Sequence, residues 1–188
     1  MSELETITLD DFCSIDSGFA FKSDQFLEDP NGVFLVKGSN LGHRVIRWDE
    51  GPWWEVSEYE KLSRYQLLKN DVILAMDRPI VGGQLKFAWI AETDPKALLV
   101  QRMTRLRASN PDDQLFLRYV IGSPAFSQYI DTITTGVNVP HISGPDIRKY
   151  KFNVPCFINR QKIKEELRLK NKIIPILDFM IELGSIHG

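Results

Sequence analysis

Short apolar runs separated by glycine, proline and asparagine limit the possible folds of this chain more than any other feature. Residues 33–36 and 72–76 are apolar and rich in β-branched side chains, and their length is that of a strand. Runs of this kind are typical of strands that are covered on both faces. We therefore predict buried strands there, a longer strand over residues 98–106, and further strands over residues 43–48 and 85–91. Residues 51–54 are predicted to form a loop, and Gly82 and Gly83 to lie in a hairpin-like loop.

Helices are predicted where start signals precede helical spacing of apolar residues. Asn110 and Ser123 each stand directly before a proline, which favours a helix beginning at that point. Residues 57–68 contain helix formers, with Ser57 and Glu60 at the spacing of a capping box. The order of elements predicts an α+β domain built on a strongly twisted mixed sheet or a partial barrel.

Composition is that of an ordinary globular protein. The chain has 188 residues, of which 43% are hydrophobic and 26% are charged. No apolar run is long enough to span a membrane, and the acidic N-terminus lacks a signal-peptide pattern. Cys13 and Cys156 have neither disulfide nor zinc-site spacing, so we expect both to be small buried hydrophobes. A cytoplasmic location without a metal or cofactor is expected.

Charge is unevenly distributed along the chain. The formal net charge is −2, which by itself does not indicate a nucleic-acid-binding protein. Residues 102–107 nevertheless carry three arginines and no acid, and residues 160–172 carry six basic and two acidic residues. Because electrostatic attraction is local, a nearly neutral protein can present a basic face.

A polar loop over residues 134–149 combines conformational freedom with fixed corners. Gly136 and Gly144 can adopt positive φ, whereas Pro140 and Pro145 fix their own φ. The loop offers hydroxyls, an amide and an imidazole, which can donate to phosphates or base edges. One helical turn and a strand ending at residue 155 are predicted to follow.

This loop also carries a family resemblance. Residues 135–147 read Thr-Gly-x-x-Val-Pro-His-Ile-Ser-x-x-Asp-Ile, and Gln161 and Ile163 follow the next strand. Further matching segments lie upstream in the same order, at residues 17–23, 36–41, 68–74, 101–102 and 123–126. Together they resemble a target recognition domain from the DNA-specificity subunits of type I restriction–modification systems.

The resemblance implies a non-catalytic DNA-recognition subunit that directs methyltransferase and restriction subunits to a bipartite site. Residues 1–157 would form the target recognition domain, and residues 158–188 a long conserved spacer or dimerisation helix. That helix would be coiled-coil-like and would bind methyltransferase subunits, a second recognition half or a second copy of the chain. Its interface positions would be Ile163, Leu167, Ile174, Leu177 and Ile181.

Candidate contacts with double-stranded DNA are the basic and polar residues of the loops that this arrangement exposes, because cations neutralise phosphates and polar groups read base edges. These candidates are Lys37, Ser39, Asn40, Arg44, Arg47, Arg78, Lys86, Arg102, Arg105, Thr135, Asn138, His141 and Ser143. Structural roles are expected instead for Ser17, Gly18, Asp71 and Asp146, and packing is expected for Trp48, Trp53 and Trp54.

Other functions have weaker support in the sequence. Asp77, with Gln84 and Lys86, faintly resembles the spacing of a metal-dependent nuclease, but Gln84 stands where a carboxylate is usual. The remaining alternatives are the specificity domain of a fused restriction–methylation enzyme and a protein-interaction module that uses the same scaffold. No spacing of histidines or cysteines indicates a metal site.

Overall fold

The structure is a computed structural model that describes residues 4–136 and 138–155, together with the helical residues Glu165, Glu166 and Leu169. By its internal contacts the chain divides into a larger unit, Thr8–Phe152, and a smaller unit made of Met1–Ile7 and Asn153–Gly188. All of the candidate DNA contacts lie in the larger unit. The predicted boundary at residue 157 and the predicted helix interface lie outside the described residues.

The described strands, in chain order, are β1 (Leu4–Thr8), β2 (Cys13–Ser17), β3 (Val33–Val36), β4 (Trp53–Trp54), β5 (Gln66–Leu67), β6 (Val72–Ala75), β7 (Ile80–Val81), β8 (Gln84–Leu85), β9 (Phe87–Trp89), β10 (Ala97–Leu99), β11 (Met103–Ala108) and β12 (Lys151–Pro155). The described helices are α1 (Leu9–Phe12), α2 (Gln114–Ile121), α3 (Pro124–Ile133) and α4 (Gly144–Arg148). Short 3-10 turns lie at Ser23–Gln25, Val56–Glu58, Glu60–Tyr65 and Pro111–Asp113.

Two four-stranded sheets form the centre of the larger unit. The first has the order β4-β3-β10-β5, in which β3 and β10 are parallel and the other pairs are antiparallel. The second is entirely antiparallel, in the order β2-β11-β6-β9. Strands β7 and β8 form a separate hairpin, and β1 pairs with β12. Among the described strands neither sheet closes on itself, so there is no closed barrel. The predicted α+β domain is confirmed as a fold of mixed helices and strands, but its centre is two sheets rather than one.

The hydrophobic core joins the two sheets. Phe34 and Leu99 of the first sheet belong to the same buried cluster as Ile73 and Met103 of the second. Each of these side chains is at most 2% exposed, and burying one contributes about 2 kcal/mol. Strand β3 is buried along its whole length, as the pattern of residues 33–36 predicts.

The run at residues 98–106 is two strands rather than one. Strand β10 ends at Leu99 in the first sheet, and β11 begins at Met103 in the second, with a turn at Gln101 and Arg102 between them. Arg102 has a φ of 65°, which reverses the chain direction locally. The apolar residues on both sides of this polar turn are buried, but in different sheets, so the single-strand prediction was wrong.

Gly18 contacts this turn region closely. A Cβ on Gly18 would lie 2.2 Å from the carbonyl oxygen of Val100, so only glycine fits. The structural role predicted for Gly18 is confirmed, and the close approach of the Val100 backbone is its cause. Asp71 is also structural, because its Oδ2 accepts a hydrogen bond from the backbone N–H of Leu68 at 2.7 Å and its carboxylate binds Arg107.

Three other local predictions were wrong. Residues 57–68 form 3-10 turns and the short strand β5 rather than a helix, and Ser57 makes no cap. Residues 43–48 form a loop with isolated bridges rather than a strand. Trp53 and Trp54 form strand β4 rather than a loop. Pairing with a strand remote in sequence explains the two short strands, because β5 pairs with β10 and β4 pairs with β3.

The helix starts and the tryptophan packing follow the predictions. Helix α3 begins after Ser123, whose side chain accepts a hydrogen bond from the backbone of Phe126, and α2 begins one turn after Asn110. The tryptophans pack against buried aromatic rings, with Trp48 4.9 Å from Phe34 between ring centroids. Trp53 and Trp54 make similar contacts with Phe34 and Phe21. Cys13 is buried, and this burial raises the pKa of its thiol to about 12.

Candidate nucleic-acid interface

The hairpin of β7 and β8 places two cations at its root. Gly82 and Gly83 form its two-residue tip with φ values of +57° and +77°, the geometry of the commonest tight hairpin turn. The backbone N–H of Lys86 donates to the carbonyl of Pro79 at 2.7 Å and closes the root. Arg78 precedes this root and Lys86 follows it, so the hairpin brings their backbones together.

Lys86 lies in a cleft of about 280 Å³ that is also lined by Arg47, Val81 and Gln84. Its ammonium donates to the carbonyl of Gly38, and the guanidinium of Arg47 donates to the neighbouring carbonyl of Ser39. Burial lowers the pKa of Lys86 below its ordinary value, and repulsion from Arg47 and Arg78 lowers it further. Like charges are therefore held together on this part of the surface.

Acidic residues neutralise only part of the positive charge in this group. Glu50 binds Arg47, with 2.8 Å between Oε2 and Nε, and both side chains are substantially exposed. Among the described residues no other acid forms an ion pair with Arg44, Arg47, Arg78 or Lys86. Arg44 is close to this group because its backbone N–H donates to the carbonyl of Phe87 at 2.7 Å. Such an excess of cations attracts anions.

Three of the candidate arginines have a left-handed backbone. The φ values are 60° for Arg44, 46° for Arg78 and 65° for Arg102. This conformation costs an ordinary L residue about 1–2 kcal/mol, and strained residues cluster at functional sites. All three side chains are exposed, so burial of the side chain does not explain why arginine occupies these positions.

The polar loop lies beside Arg78 and Arg102. Thr135 and His141 exchange backbone hydrogen bonds of 2.9 and 2.7 Å, which close the loop. The Nδ1 atom of His141 lies 2.6 Å from one oxygen of Asp77, and Arg102 donates to the other oxygen at 2.6 Å. The backbone N–H of Arg78 donates to the carbonyl of Pro140 at 2.6 Å. These contacts place Thr135 and His141 next to the cations.

We call Arg44, Arg47, Arg78, Lys86 and Arg102 the basic surface. Thr135, Asn138 and His141 border it on the polar loop, and the first two are exposed. Ser39 is exposed beside Arg47, whereas Lys37 lies farther along the same loop with its ammonium 5.6 Å above the ring of Phe26.

Two of the candidate DNA contacts are buried and therefore not accessible to DNA. Asn40 is 0% exposed, and its side chain donates to the carbonyl of Leu35 and accepts from the N–H of Lys37, both at 2.9 Å. Arg105 is 6% exposed and donates to the carbonyls of Arg64 and Gln66. These hydrogen bonds join separate backbone segments of the scaffold. They also satisfy buried polar groups, which would otherwise lower the stability of the fold.

The side chain of Ser143 caps the N-terminus of helix α4. Its hydroxyl accepts a hydrogen bond from the backbone of Asp146 and donates to the carboxylate of the same residue at 2.6 Å. The hydrogen bonds from Ser143 and Lys149 hold the pKa of Asp146 below its ordinary value. The structural role predicted for Asp146 is confirmed, and Ser143 serves the same local purpose.

Sequence reasoning missed several residues of this region. Gln84 and Val81 are exposed on the hairpin, and only the Gly82-Gly83 turn indicated where they would lie. Arg118 was also missed, since it lies in a helix. Its guanidinium stacks 3.2 Å from the centroid of the Trp89 ring, and burial lowers its pKa to about 10.

The geometry around Asp77 does not favour a nuclease. Its carboxylate is engaged by Arg102 and His141 rather than placed beside a second acid. Within the described ranges there is no group of three or more histidine, cysteine, aspartate and glutamate residues that could hold a metal ion. In the same part of the chain, no helix has both the length and the apolar character needed to cross a membrane.

Solved structures with a similar fold are S subunits of type I restriction-modification systems. An S subunit of a type I restriction-modification system from M. genitalium superposes with a TM-score of 0.65 and 14% identity, covering 98% of this chain and 43% of that one. The HsdS subunit from Thermoanaerobacter tengcongensis superposes with a TM-score of 0.59 and 14% identity, covering 94% and 39%. At these identities the likeness establishes the fold alone.

Comparison of sequences identifies relatives and a family in addition to the fold. The type I restriction enzyme MjaVIII specificity subunit of Methanocaldococcus jannaschii is 30% identical over 92% of this chain and 40% of its own length. The EcoAI specificity subunit of Escherichia coli is 34% identical over 68% of this chain and 21% of its own length. The chain thus spans less than half of these relatives. The sequence model described as the type I restriction modification DNA specificity domain matches residues 1–168. Because that match covers most of its length, this chain belongs to the type I restriction modification DNA specificity domain family.

Proposed function

We propose that this chain recognises one half of a bipartite double-stranded DNA site as the specificity component, or a half-subunit, of a type I restriction–modification complex in the cytoplasm. It would carry out no catalysis and would direct methyltransferase and restriction subunits to that site. Its relatives are specificity subunits, which supports this role. The observation that carries the proposal is the basic surface, whose cations are brought together by a shared cleft, the hairpin root and Asp77, and which polar loops border.

The basic surface suits a polyanion better than a single small anion. Arg47 and Lys86 line one cleft, and Arg78 and Arg102 continue the surface through Asp77 and the polar loop. Duplex DNA presents a phosphate charge about every 1.7 Å of helix axis, so several separated cations can be neutralised at once. The net charge of −2 does not oppose this, because the attraction is local.

Different members of the surface suit different contacts. Lys86 and Arg47 are held by backbone carbonyls of the loop after β3, so they would bind phosphates and position the domain. Arg44 and Arg78 are exposed on strained backbones, which suits reading of base edges. Ser39, Thr135, Asn138 and His141 would add polar contacts, and Lys37 would contact phosphate at the edge.

We propose further that residues 158–188 form the helix that joins the other subunits. Its predicted apolar seam would bind the methyltransferase subunits or the corresponding helix of a second recognition half. This seam lies outside the described residues, and its support is the sequence pattern.

Selection followed by fluorescence anisotropy tests the DNA proposal. A random duplex pool is enriched on the full chain, and the affinity for the enriched duplex is compared with that for a scrambled duplex over a series of salt concentrations. The double variant Arg47→Gln with Lys86→Gln should weaken binding and reduce the slope of log K against log salt by about 2. The control, Lys61→Gln with Lys69→Gln, removes the same charge from side chains paired with Glu58 and Glu92, and should leave the slope unchanged.

Three results would contradict the proposal. Equal affinity for all duplexes, alone and with methyltransferase subunits, would exclude sequence recognition. Magnesium-dependent cleavage by the isolated chain would favour the nuclease alternative. Binding without a steep salt dependence would favour the protein-interaction module.

A further inference from the structure

The outermost part of the β7–β8 hairpin is free of charge, although its root is cationic. Gly82 and Gly83 form the tip, and a Cβ on either would meet nothing within 4 Å. Val81 and Gln84 pair directly across the hairpin next to the tip, and both are exposed. None of these four residues carries a charge, whereas Arg78 and Lys86 flank the root.

The two faces of the hairpin differ in burial. The inner cross-strand pair is Ile80 with Leu85, and Leu85 is only 3% exposed. The outer pair is Val81 with Gln84, and Val81 is 54% exposed. The inner pair anchors the hairpin, and Nδ1 of His43 lies 3.0 Å from the carbonyl oxygen of Leu85 at the same place. The outer pair is therefore presented on a fixed support.

The dimensions of this element match the major groove of duplex DNA. Lys86 lies three residues from Gly83, a distance of about 10 Å in a strand, and the groove is about 8.5 Å deep and 12 Å wide. Two paired strands are about 4.8 Å apart, so the hairpin fits between the groove walls. With the tip at the base edges, the root cations would lie at the level of the phosphates.

The outer pair has the chemistry of one particular base pair. An A·T pair presents the adenine N7 acceptor and N6 donor, the thymine O4 acceptor and the thymine C5-methyl group in the major groove. The carboxamide of Gln84 can pair with the adenine N6 and N7, and the isopropyl group of Val81 can contact the methyl group. A G·C pair has no methyl group for Val81. Directly opposed residues have Cβ atoms about 5 Å apart, so both can reach one base pair.

We propose that the hairpin tip reads an A·T pair in the major groove of the half-site, with Gln84 on the adenine and Val81 on the thymine methyl group. This inference rests on the proposed DNA-recognition function and specifies part of its target. It assigns a role to Gln84 and Val81 that charge alone would not reveal. The cations at the root supply affinity, and this neutral pair supplies discrimination at one position.

Base analogues test the inference one atom group at a time. In the enriched duplex, each thymidine is replaced in turn by deoxyuridine, which lacks only the methyl group. Each deoxyadenosine is replaced in turn by 7-deazadeoxyadenosine, which lacks the N7 acceptor. One A·T pair should show about a fivefold or greater loss of affinity for each replacement, as measured by anisotropy with the full chain.

Matched variants link that base pair to the hairpin. Val81→Ala should bind the thymidine and deoxyuridine duplexes equally, and Gln84→Ala should lose sensitivity to the deaza replacement. Both side chains are exposed, so neither change should alter folding, which circular dichroism checks. Val56→Ala removes the same atoms from an exposed valine of a 3-10 turn and should retain full sensitivity to both analogues.

The two proposals fail in distinguishable ways. Specific binding to an enriched duplex with no deoxyuridine penalty at any A·T pair, or with the same penalty in Val81→Ala as in the unchanged protein, would overturn the hairpin inference alone. Absence of any enriched sequence would overturn the DNA-recognition proposal, and the hairpin inference with it.

Discussion

The Nδ1 atom of His141 lies 2.6 Å from Oδ1 of Asp77, a residue 64 positions earlier in the chain. Arg102 binds the second oxygen of the same carboxylate at 2.6 Å. Asp77 follows strand β6, so one side chain fixes both the polar loop and the turn between the two sheets. The local shape of the basic surface therefore depends on an acid that does not belong to it.

Replacing Asp77 with asparagine should destabilise the protein in a pH-dependent way. Burial raises the pKa of Asp77, but hydrogen bonds from Arg102 and His141 outweigh this and hold the pKa below its ordinary value of 3.8. A lowered folded-state pKa contributes stability above the unfolded value, and this contribution is lost as the pH falls through the folded-state value. We expect a loss of about 1 kcal/mol at pH 7, because the partners of Asp77 are largely exposed.

Urea unfolding from pH 7 down to pH 3 measures this difference. The gap between the unchanged protein and Asp77→Asn should narrow below pH 3.8. Asp49→Asn, at an exposed aspartate, serves as the control. A gap that stays constant over the whole pH range would show that packing rather than charge explains the loss.

At Arg78, the contribution of the side chain to DNA binding can be measured separately from the strain of the backbone. Glycine adopts its φ of 46° without strain, whereas alanine does not. Arg78→Gly and Arg78→Ala should lose the same DNA affinity, about 1–3 kcal/mol, but the glycine variant should be more stable than the alanine variant by about 1 kcal/mol. Anisotropy and urea unfolding measure the two effects. Asn70→Gly, at a φ of 68°, is the control and should keep its DNA affinity.

Lys86 should titrate below the ordinary lysine value of 10.5. Burial is the main cause of its lowered pKa, and the charges of Arg47 and Arg78 add to it. Removing either arginine should raise the pKa of Lys86 toward 10.5 without restoring it fully, because the burial remains. The ¹³Cε chemical shift of Lys86, followed by NMR in the unchanged protein and in Arg47→Gln, measures the change. If the pKa of Lys86 is unchanged in Arg47→Gln, the charge of Arg47 does not act on Lys86.

Arg105 should be important for stability. Its guanidinium joins the second sheet to the carbonyl of Gln66 in the first and to Asp16 at 2.9 Å. Arg105→Met would remove a buried guanidinium and leave these partly buried acceptors without its hydrogen bonds, and we expect a loss of about 3 kcal/mol in the free energy of unfolding. Arg64→Met is a matched control, because Arg64 lies 3.7 Å from the same aspartate but is 72% exposed. That variant should lose less than about 0.5 kcal/mol.

Asn40 and Asn138 should behave in opposite ways, although the sequence suggested DNA contact for both. Asn40→Ala removes the partners of Leu35 and Lys37 and should cost about 2 kcal/mol of stability. Its folded fraction should keep its DNA affinity. Asn138 is exposed, so Asn138→Ala should leave the free energy of unfolding unchanged and weaken DNA binding. The reverse pattern in unfolding and anisotropy measurements would contradict the assignment of Asn40 to the scaffold.

Local signals in the sequence were sufficient for several parts of the fold. The buried strands β3 and β6, the helix starts after Asn110 and Ser123, and the Gly82-Gly83 turn were all predicted. Each of these depends on residues within a few positions of one another, because backbone conformation and side-chain caps act over short distances. The family resemblance also rests on such short segments.

Only the tertiary structure decided which residues are free to bind a partner. The sequence gives no reason to distinguish Arg105 from Arg78. In the structure Arg105 is buried and bound to Asp16, which lies 89 positions away, whereas Arg78 is exposed. Lys86 and Arg47 share a cleft because strand pairing brings their loops together, and no local pattern indicates this. Burial and electrostatic coupling depend on distance in space, and a sequence records only distance along the chain.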